Sequence, residues 1–182
     1  MGSNIWQISR IQGSIDRRIG FAVAWKLSAK RNLSSVTNKL PENVTIFSTK
    51  ISAGQAHLKG VLVQASESSK RGLTLARNSS IDLLMRLTCQ SQIKDAMRIS
   101  GISSIQKIGA FGFALDDEDL GLRIQRVEAV LGRALEREDS LLEMNLAKRK
   151  FLRKLHSIPQ SFPDSRIADF LLEKSSLLCF SK

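Results

Sequence analysis

Apolar and polar side chains along the first third of the chain predict strands before the first helix. Residues 5–15 alternate loosely between apolar and polar, and residues 21–27 form a short continuous apolar run, so both segments are predicted as strands. The β-branched run 44–48 is predicted as a third strand, and the polar stretch 30–43 before it as a loop. Apolar side chains at helical spacing then predict a helix over about 54–66.

The rest of the chain combines helical periodicity with one long strand-like run. Residues 67–78 are polar and basic and are predicted as a linker, whereas 105–115 are almost continuously apolar and predict a buried strand. Gly109 and Gly112 inside that strand indicate a close backbone approach or a bulge. The other predicted elements are a helix from Ser79 or Ser80, a helix from Ile93 that ends at Gly101, helices over 116–132 and 145–157, a helix that begins at Pro163, and a closing strand over 177–180.

This mixture of strands and helices predicts a mixed α/β (α+β) fold, a single compact domain with a small sheet packed against several helices. The length of 182 residues and the 42% of hydrophobic residues suit one domain with its own core. The longest apolar runs, 19–25 and 108–115, are far shorter than the roughly 20 residues of a membrane span. Residues 1–12 carry no recognisable targeting signal, so we expect a cytoplasmic protein.

Charge is the feature of composition that points to a partner. The chain has 28 Lys and Arg against 17 Asp and Glu, a net charge of +11. Residues 1–91 hold 13 basic and 4 acidic side chains, and residues 92–182 hold 15 and 13. Such an excess in one half makes nucleic acid the first candidate partner. A second basic run, 148–154, is predicted as the solvated face of a helix whose Phe151 and Leu152 point the other way.

The sequence contains few residues and motifs that could form a catalytic or metal site. The chain has two histidines and no CxxC, HExxH or GxxxxGK[ST] motif, so we expect no enzyme activity, metal or cofactor. Cys89 and Cys179 are isolated and are expected to be reduced thiols. The carboxylates at 116–119 could bind a divalent cation, but their spacing favours capping of a helix.

Three segments together carry a more specific signal. Residues 80–96 (SIDLLMRLTCQSQIKDA), 53–58 (AGQAHL) and 170–178 (FLLEKSSLL) resemble motifs of the small accessory subunit of the KEOPS complex, the family of the PRPK-binding protein. The likeness covers about residues 44–180. Ser91 stands where the family usually has Arg, and Cys89 where it usually has Gly. Residues 1–43 are accordingly predicted as an N-terminal extension of strands and loop, and 44–182 as the family domain.

The resemblance implies a non-catalytic subunit that serves the threonylcarbamoyladenosine modification of tRNA. Family members bind and stimulate the atypical kinase subunit of the complex, and archaeal members recruit tRNA through its single-stranded 3′ CCA end. The turn between the two helices of residues 80–96 would hold phosphate at a helix N-terminus, with cations and amide side chains around it. The implied tRNA-binding residues are His57, Arg77, Arg86, Thr88, Cys89, Gln90, Gln92, Ile93 and Lys94. The implied kinase-binding residues are Leu171, Leu172 and Leu177.

The sequence leaves alternative functions and alternative residue roles open. The chain could be a basic RNA-binding or ribosome-associated protein unrelated to KEOPS, which would bind RNA whether or not the CCA end is present. It could also be an enzyme that uses Cys89, with His57 as its base, which would require a lowered thiol pKa. For His57 the alternatives are a side chain that lines the RNA groove and a hydrogen-bonded structural histidine. The leucines near the C-terminus could equally be core residues.

Overall fold

The two longest apolar stretches of the chain form the centre of an antiparallel sheet. The computed structural model describes residues 5–7, 18–132 and 135–180. Strand β2 (Ile19–Arg31) pairs with β4 (Ile105–Ala114) along most of its length, from Ile19 opposite Ala114 to Lys26 opposite Lys107. Continuous apolar sequence suits these strands because helices cover both of their faces.

Three shorter strands join this sheet within the described part of the chain. The order is β1 (Ile5–Gln7), β2, β4 and β3 (Val44–Ser48), and β5 (Leu135–Arg137) pairs with the later part of β2. The predicted mixed α/β fold is confirmed. The predicted strand 5–15 is present over 5–7, and residues 8–15 lie outside the described residues. Within the predicted N-terminal extension 1–43, β2 lies between β1 and β4 in the sheet and shares its core.

Six α-helices of the described residues surround the sheet. They are α1 (Gln55–Lys70), α2 (Ser79–Thr88), α3 (Ile93–Ser100), α4 (Asp117–Leu131), α5 (Leu146–His156) and α6 (Ile167–Ser176). Side chains of α1 and α2 pack with Ala22 and Phe111 on one face of the sheet. Side chains of α4 pack with Val23 and Trp25 on the other face. Alternate residues of β2 thus point to opposite faces, as the strand repeat requires.

Close packing between strands explains the glycines of β4. A Cβ on Gly112 would lie 2.1 Å from the Asn43 carbonyl oxygen, at the point where β3 begins. A Cβ on Gly109 would lie 2.5 Å from the ring of Phe47. The predicted close backbone approach is therefore confirmed.

Several element boundaries differ from the prediction. The segment 177–180 is a 3₁₀ turn, Leu177–Phe180, that continues from α6. The predicted closing strand was wrong because this apolar run pairs with no strand and is held instead by buried Leu178. Helix α1 continues through Lys70 into the predicted linker, and the predicted loop 30–43 contains the last residues of β2 and a 3₁₀ turn, Ser34–Lys39.

Side-chain caps fix the starts of three helices. Asn78 Oδ1 accepts hydrogen bonds from the amides of Ser80 and Ile81, so the cap of α2 is Asn78 and not the predicted serine. Asp116 Oδ1 accepts from the Asp119 amide at 2.8 Å, which confirms the predicted capping role.

Among the described residues, no helix is both long enough and apolar enough to cross a membrane.

Candidate nucleic-acid interface

The turn between α2 and α3 is the centre of the predicted tRNA site, and backbone hydrogen bonds fix its shape. The Cys89 amide donates to the Arg86 carbonyl at 3.1 Å. The Gln90 amide donates to the Met85 carbonyl at 3.0 Å. This pair of bonds is the Schellman arrangement, in which the residue just past the helix is left-handed. Cys89 is that residue, with φ of 53°, in the left-handed region that favours glycine.

The Cys89 side chain packs the turn from inside. It is 4% exposed, belongs to the apolar cluster that contains Ala53 and Leu171, and donates from Sγ to the Leu171 carbonyl at 3.3 Å. Burial raises the pKa of this thiol to about 12. The alternative in which Cys89 is a nucleophile therefore lacks the lowered pKa that it requires. The predicted RNA contact through the Cys89 side chain is likewise corrected, because the thiol is covered.

His57 stabilises the start of α1. Gly54 precedes the helix with φ of 95°, a conformation that residues with a Cβ rarely adopt. The Ala53 amide donates to His57 Nδ1 at 3.3 Å, which closes the turn. His57 is fully buried, and burial together with the nearby charge of His156 lowers its pKa to about 3. The burial of His57 favours the structural alternative, although its Nε2 has no hydrogen-bond partner among the described residues, and the AGQAHL segment contains the start of α1.

Arg86 faces a carboxylate in the core and not solvent. It is 1% exposed, and its Nε donates to Asp82 Oδ2 at 2.8 Å. Its Nη2 also donates to the Leu73 carbonyl at 3.4 Å. The predicted phosphate contact is corrected, because the guanidinium is covered and already has its counter-ion. Arg86 connects α2 to the segment that precedes it.

Thr88 is also buried, and its hydroxyl donates to the Leu84 carbonyl at 2.8 Å. A hydroxyl bonded to the preceding turn of its own helix is common for threonine in helices. The predicted RNA contact by Thr88 is therefore corrected. Gln90 is half-buried, and its Nε2 donates to the Thr88 carbonyl at 3.2 Å, which leaves its Oε1 as the group that can accept from a ligand.

The side chains that do reach solvent lie at the start of α3. Gln92, Ile93 and Lys94 are exposed, and Ile93 is 46% exposed although it is apolar. Gln92 precedes the helix and makes no side-chain cap, so amides of the first turn lack a side-chain acceptor there. Arg77 is exposed too, but it precedes α2, whose ten residues span about 15 Å. Arg77 and Lys94 therefore lie beyond opposite ends of α2.

The three leucines predicted to bind the kinase differ in their positions. Leu171 is fully buried, so the core alternative holds for it. Leu172 is half-buried against α1, where it fills the space beside Gly60. Leu177 is 61% exposed, and Phe180 in the same 3₁₀ turn is 83% exposed. An apolar surface patch of Leu177 and Phe180 is therefore the part of this prediction that remains.

The basic run 148–154 is not a uniformly solvated face. Arg153 is buried, donates to Asp164 Oδ1 at 2.7 Å, and also donates to the carbonyls of Pro159 and Phe162. Lys148 is buried at the start of α5. The burial of Arg153 and Lys148 corrects the prediction. Both side chains turn inward because their hydrogen-bond acceptors lie outside the helix. Leu152 is buried as predicted, whereas Phe151 is partly exposed.

Sequence reasoning missed a cluster of lysines that meets around a cavity. Lys30, Lys50, Lys107 and Lys148 line it together, although they are far apart in the sequence. No spacing rule could have found them, since the pairing of the strands and the packing of α5 place them together. Among the described residues, no group of three or more His, Cys, Asp or Glu side chains could hold a metal ion. No family model matches the sequence, and no curated protein matches it.

Proposed function

We propose that this protein is an accessory subunit of the KEOPS type, which binds tRNA through its 3′ CCA end and binds the atypical kinase subunit of the complex. The strongest support for the proposal is that the three segments with family-like motifs contact one another. Ala53, Cys89 and Leu171 come one from each segment, and they pack in one buried cluster. The segments therefore support each other physically, as motifs of one family would.

The tRNA-binding part of the proposal is narrower than the sequence implied. Gln90, Gln92, Ile93 and Lys94 are the accessible side chains at the turn, whereas His57, Arg86, Thr88 and Cys89 hold that turn in place. An exposed helix start with an adjacent lysine suits a phosphate, and exposed amides and an apolar side chain suit an unstacked base. A single-stranded end offers both groups.

The kinase-binding part of the proposal assigns the patch of Leu177 and Phe180 to the partner. Large apolar side chains exposed side by side are typical of the centre of a protein interface. We expect Leu177→Ser with Phe180→Ser to abolish co-purification with the kinase subunit and to leave tRNA binding unchanged. Retained co-purification would exclude this surface.

The deciding experiment is a gel shift at near-physiological salt with intact tRNA and with the same tRNA without its 3′ CCA. We expect only the intact tRNA to shift. Lys94→Ala should reduce the dependence of log affinity on log salt by about one unit. Lys39→Ala is the matched control, because Lys39 is exposed in the 3₁₀ turn that packs on α4.

Three other outcomes of these experiments would change or overturn the proposal. Equal shifts with both tRNAs would favour the basic RNA-binding protein unrelated to KEOPS, for which the net charge of +11 is the supporting observation. A salt dependence that falls equally in the Lys94 and Lys39 variants would show that binding is delocalised. No shift and no association with the kinase subunit would overturn the proposal.

A further inference from the structure

A cavity of about 560 Å³ opens at one end of the sheet, where β2 and β3 end and β4 begins. The 3₁₀ turn Asp139–Leu142 and the first turns of α5 form its other walls. Its volume is in the range of ligand sites for small organic molecules. None of the residues predicted to contact tRNA or the kinase lines it.

Positive charge dominates the lining of this cavity. Lys30, Lys50, Lys107 and Lys148 line it, with Glu138 as the only carboxylate of the lining among the described residues. None of these four lysines forms an ion pair with a carboxylate of the described chain. The four lysines together therefore form a positively charged site that attracts an anion.

Lys148 is the least accessible of the four. It is 6% exposed, and its Nζ donates to the Leu141 carbonyl at 2.6 Å. Burial and the charge of Lys107 lower the pKa of Lys148 to about 8, although Glu143 opposes this change. A buried ammonium group with a single acceptor is expensive in free energy. A bound anion would add to the partial compensation that the charge of Glu143 provides.

The rest of the lining suits a phosphate that carries a ring. Hydroxyl groups of Thr49, Ser104 and Ser140 can donate to phosphate oxygens. Ala147 belongs to the first turn of α5, where amides lack helical acceptors and the helix dipole is positive. Phe151 adds an aromatic surface to the wall, against which a planar ring can stack.

We propose that this cavity binds an organic phosphate of nucleotide size, with the phosphate among the lysines and the ring against Phe151. The lysines, the hydroxyls and the aromatic wall line one open cavity, which separates this site from scattered surface charge. The same chemistry is present in a free mononucleotide and in the terminal nucleotide of an RNA chain. The inference does not depend on the proposed KEOPS function, because the two sites share no residue.

The test is a calorimetric titration of AMP, and separately of inorganic phosphate, into the full-length chain. Lys50→Gln with Lys107→Gln removes two charges from exposed positions and leaves the Lys148–Leu141 bond in place. We expect this double variant to weaken AMP binding at least tenfold at an unchanged melting temperature. Lys39→Gln, outside the cavity, should bind AMP as the wild type does. Phe151→Ala should weaken binding of AMP but not of phosphate.

Two further measurements show whether the bound phosphate belongs to a free nucleotide or to an RNA end, and whether the tRNA proposal fails separately. A short RNA that ends in CCA is titrated into the same variants. If AMP does not bind and the RNA loses affinity in the Lys50 and Lys107 double variant, the site is occupied by an RNA end and the proposal holds, whereas AMP that binds both forms equally would overturn it. If neither ligand binds at millimolar concentration, or if the double variant binds both as tightly as the wild type, the proposal is overturned. Lys94→Ala should leave AMP binding unchanged. A failure of the tRNA proposal can therefore be distinguished from a failure of the cavity proposal.

Discussion

Arg86→Ala is expected to destabilise the fold without a specific effect on RNA binding. The substitution removes the guanidinium whose Nε lies 2.8 Å from Asp82 Oδ2 and leaves that carboxylate buried. Its remaining donor is the Leu75 amide, at 2.5 Å from Oδ1. Loss of one partner of a buried ion pair costs about 3–5 kcal/mol, because the other charge stays uncompensated. Domains of this size have about 5–15 kcal/mol of stability, so much of the total would be lost.

The assay is urea unfolding followed by circular dichroism, with the free energy of unfolding taken from the midpoint and slope. Arg86→Met combined with Asp82→Leu should recover most of the loss, since both charges are then absent. Arg77→Ala is the matched control: Arg77 is exposed, and its substitution should change stability by less than about 0.5 kcal/mol.

A loss below about 1 kcal/mol in Arg86→Ala would refute the burial argument, by comparison with the cost given for a broken buried pair. A second refuting result is a reduced salt dependence of tRNA binding at unchanged stability, because that is the behaviour of a surface phosphate contact.

Four other predictions concern the pH dependence of stability, the reactivity of a thiol and two glycines. Burial lowers the pKa of His57 to about 3 and of His156 to about 4, below the value of the unfolded chain, so the unfolded state takes up more protons below pH 6.5. Stability should therefore fall as pH decreases from 6.5, by about 3 kcal/mol per histidine at pH 4.5, and His57→Asn should flatten this dependence in urea titrations. Cys89 should resist a thiol reagent at pH 8 in the folded protein while the chain's other cysteine reacts, and equal rates would contradict its burial. Gly112→Ala should cost more than about 1 kcal/mol, because its Cβ would meet backbone at 2.1 Å. Gly121→Ala on α4, where a Cβ meets nothing within 4 Å, should stabilise the protein by up to about 1 kcal/mol in the same unfolding assay.

Much of the fold could be predicted because its signals are local. The run 44–48 is a strand with the predicted bounds, and Asp116 caps α4, since β-branched alternation and a carboxylate before a helix act within a few residues. The strand at 105–114 and its closely packed glycines were also predicted. The run 177–180 was misassigned, because a short apolar segment suits a strand or a buried turn equally well.

The sequence by itself determined the elements, the basic character and the family resemblance, since all of these depend on residue type and spacing along the chain. Tertiary structure decided which of the candidate residues are accessible. Arg86 and Cys89 occur in a segment that resembles an RNA-binding motif, yet Asp82 and the Leu171 carbonyl hold them inside. The pairing of β2 and β3 with β4, and the approach of α5, bring Lys30, Lys50, Lys107 and Lys148 to one cavity. Whether a polar side chain binds a ligand or supports the fold depends on the groups that reach it from elsewhere in the chain, and one-dimensional spacing does not contain that information.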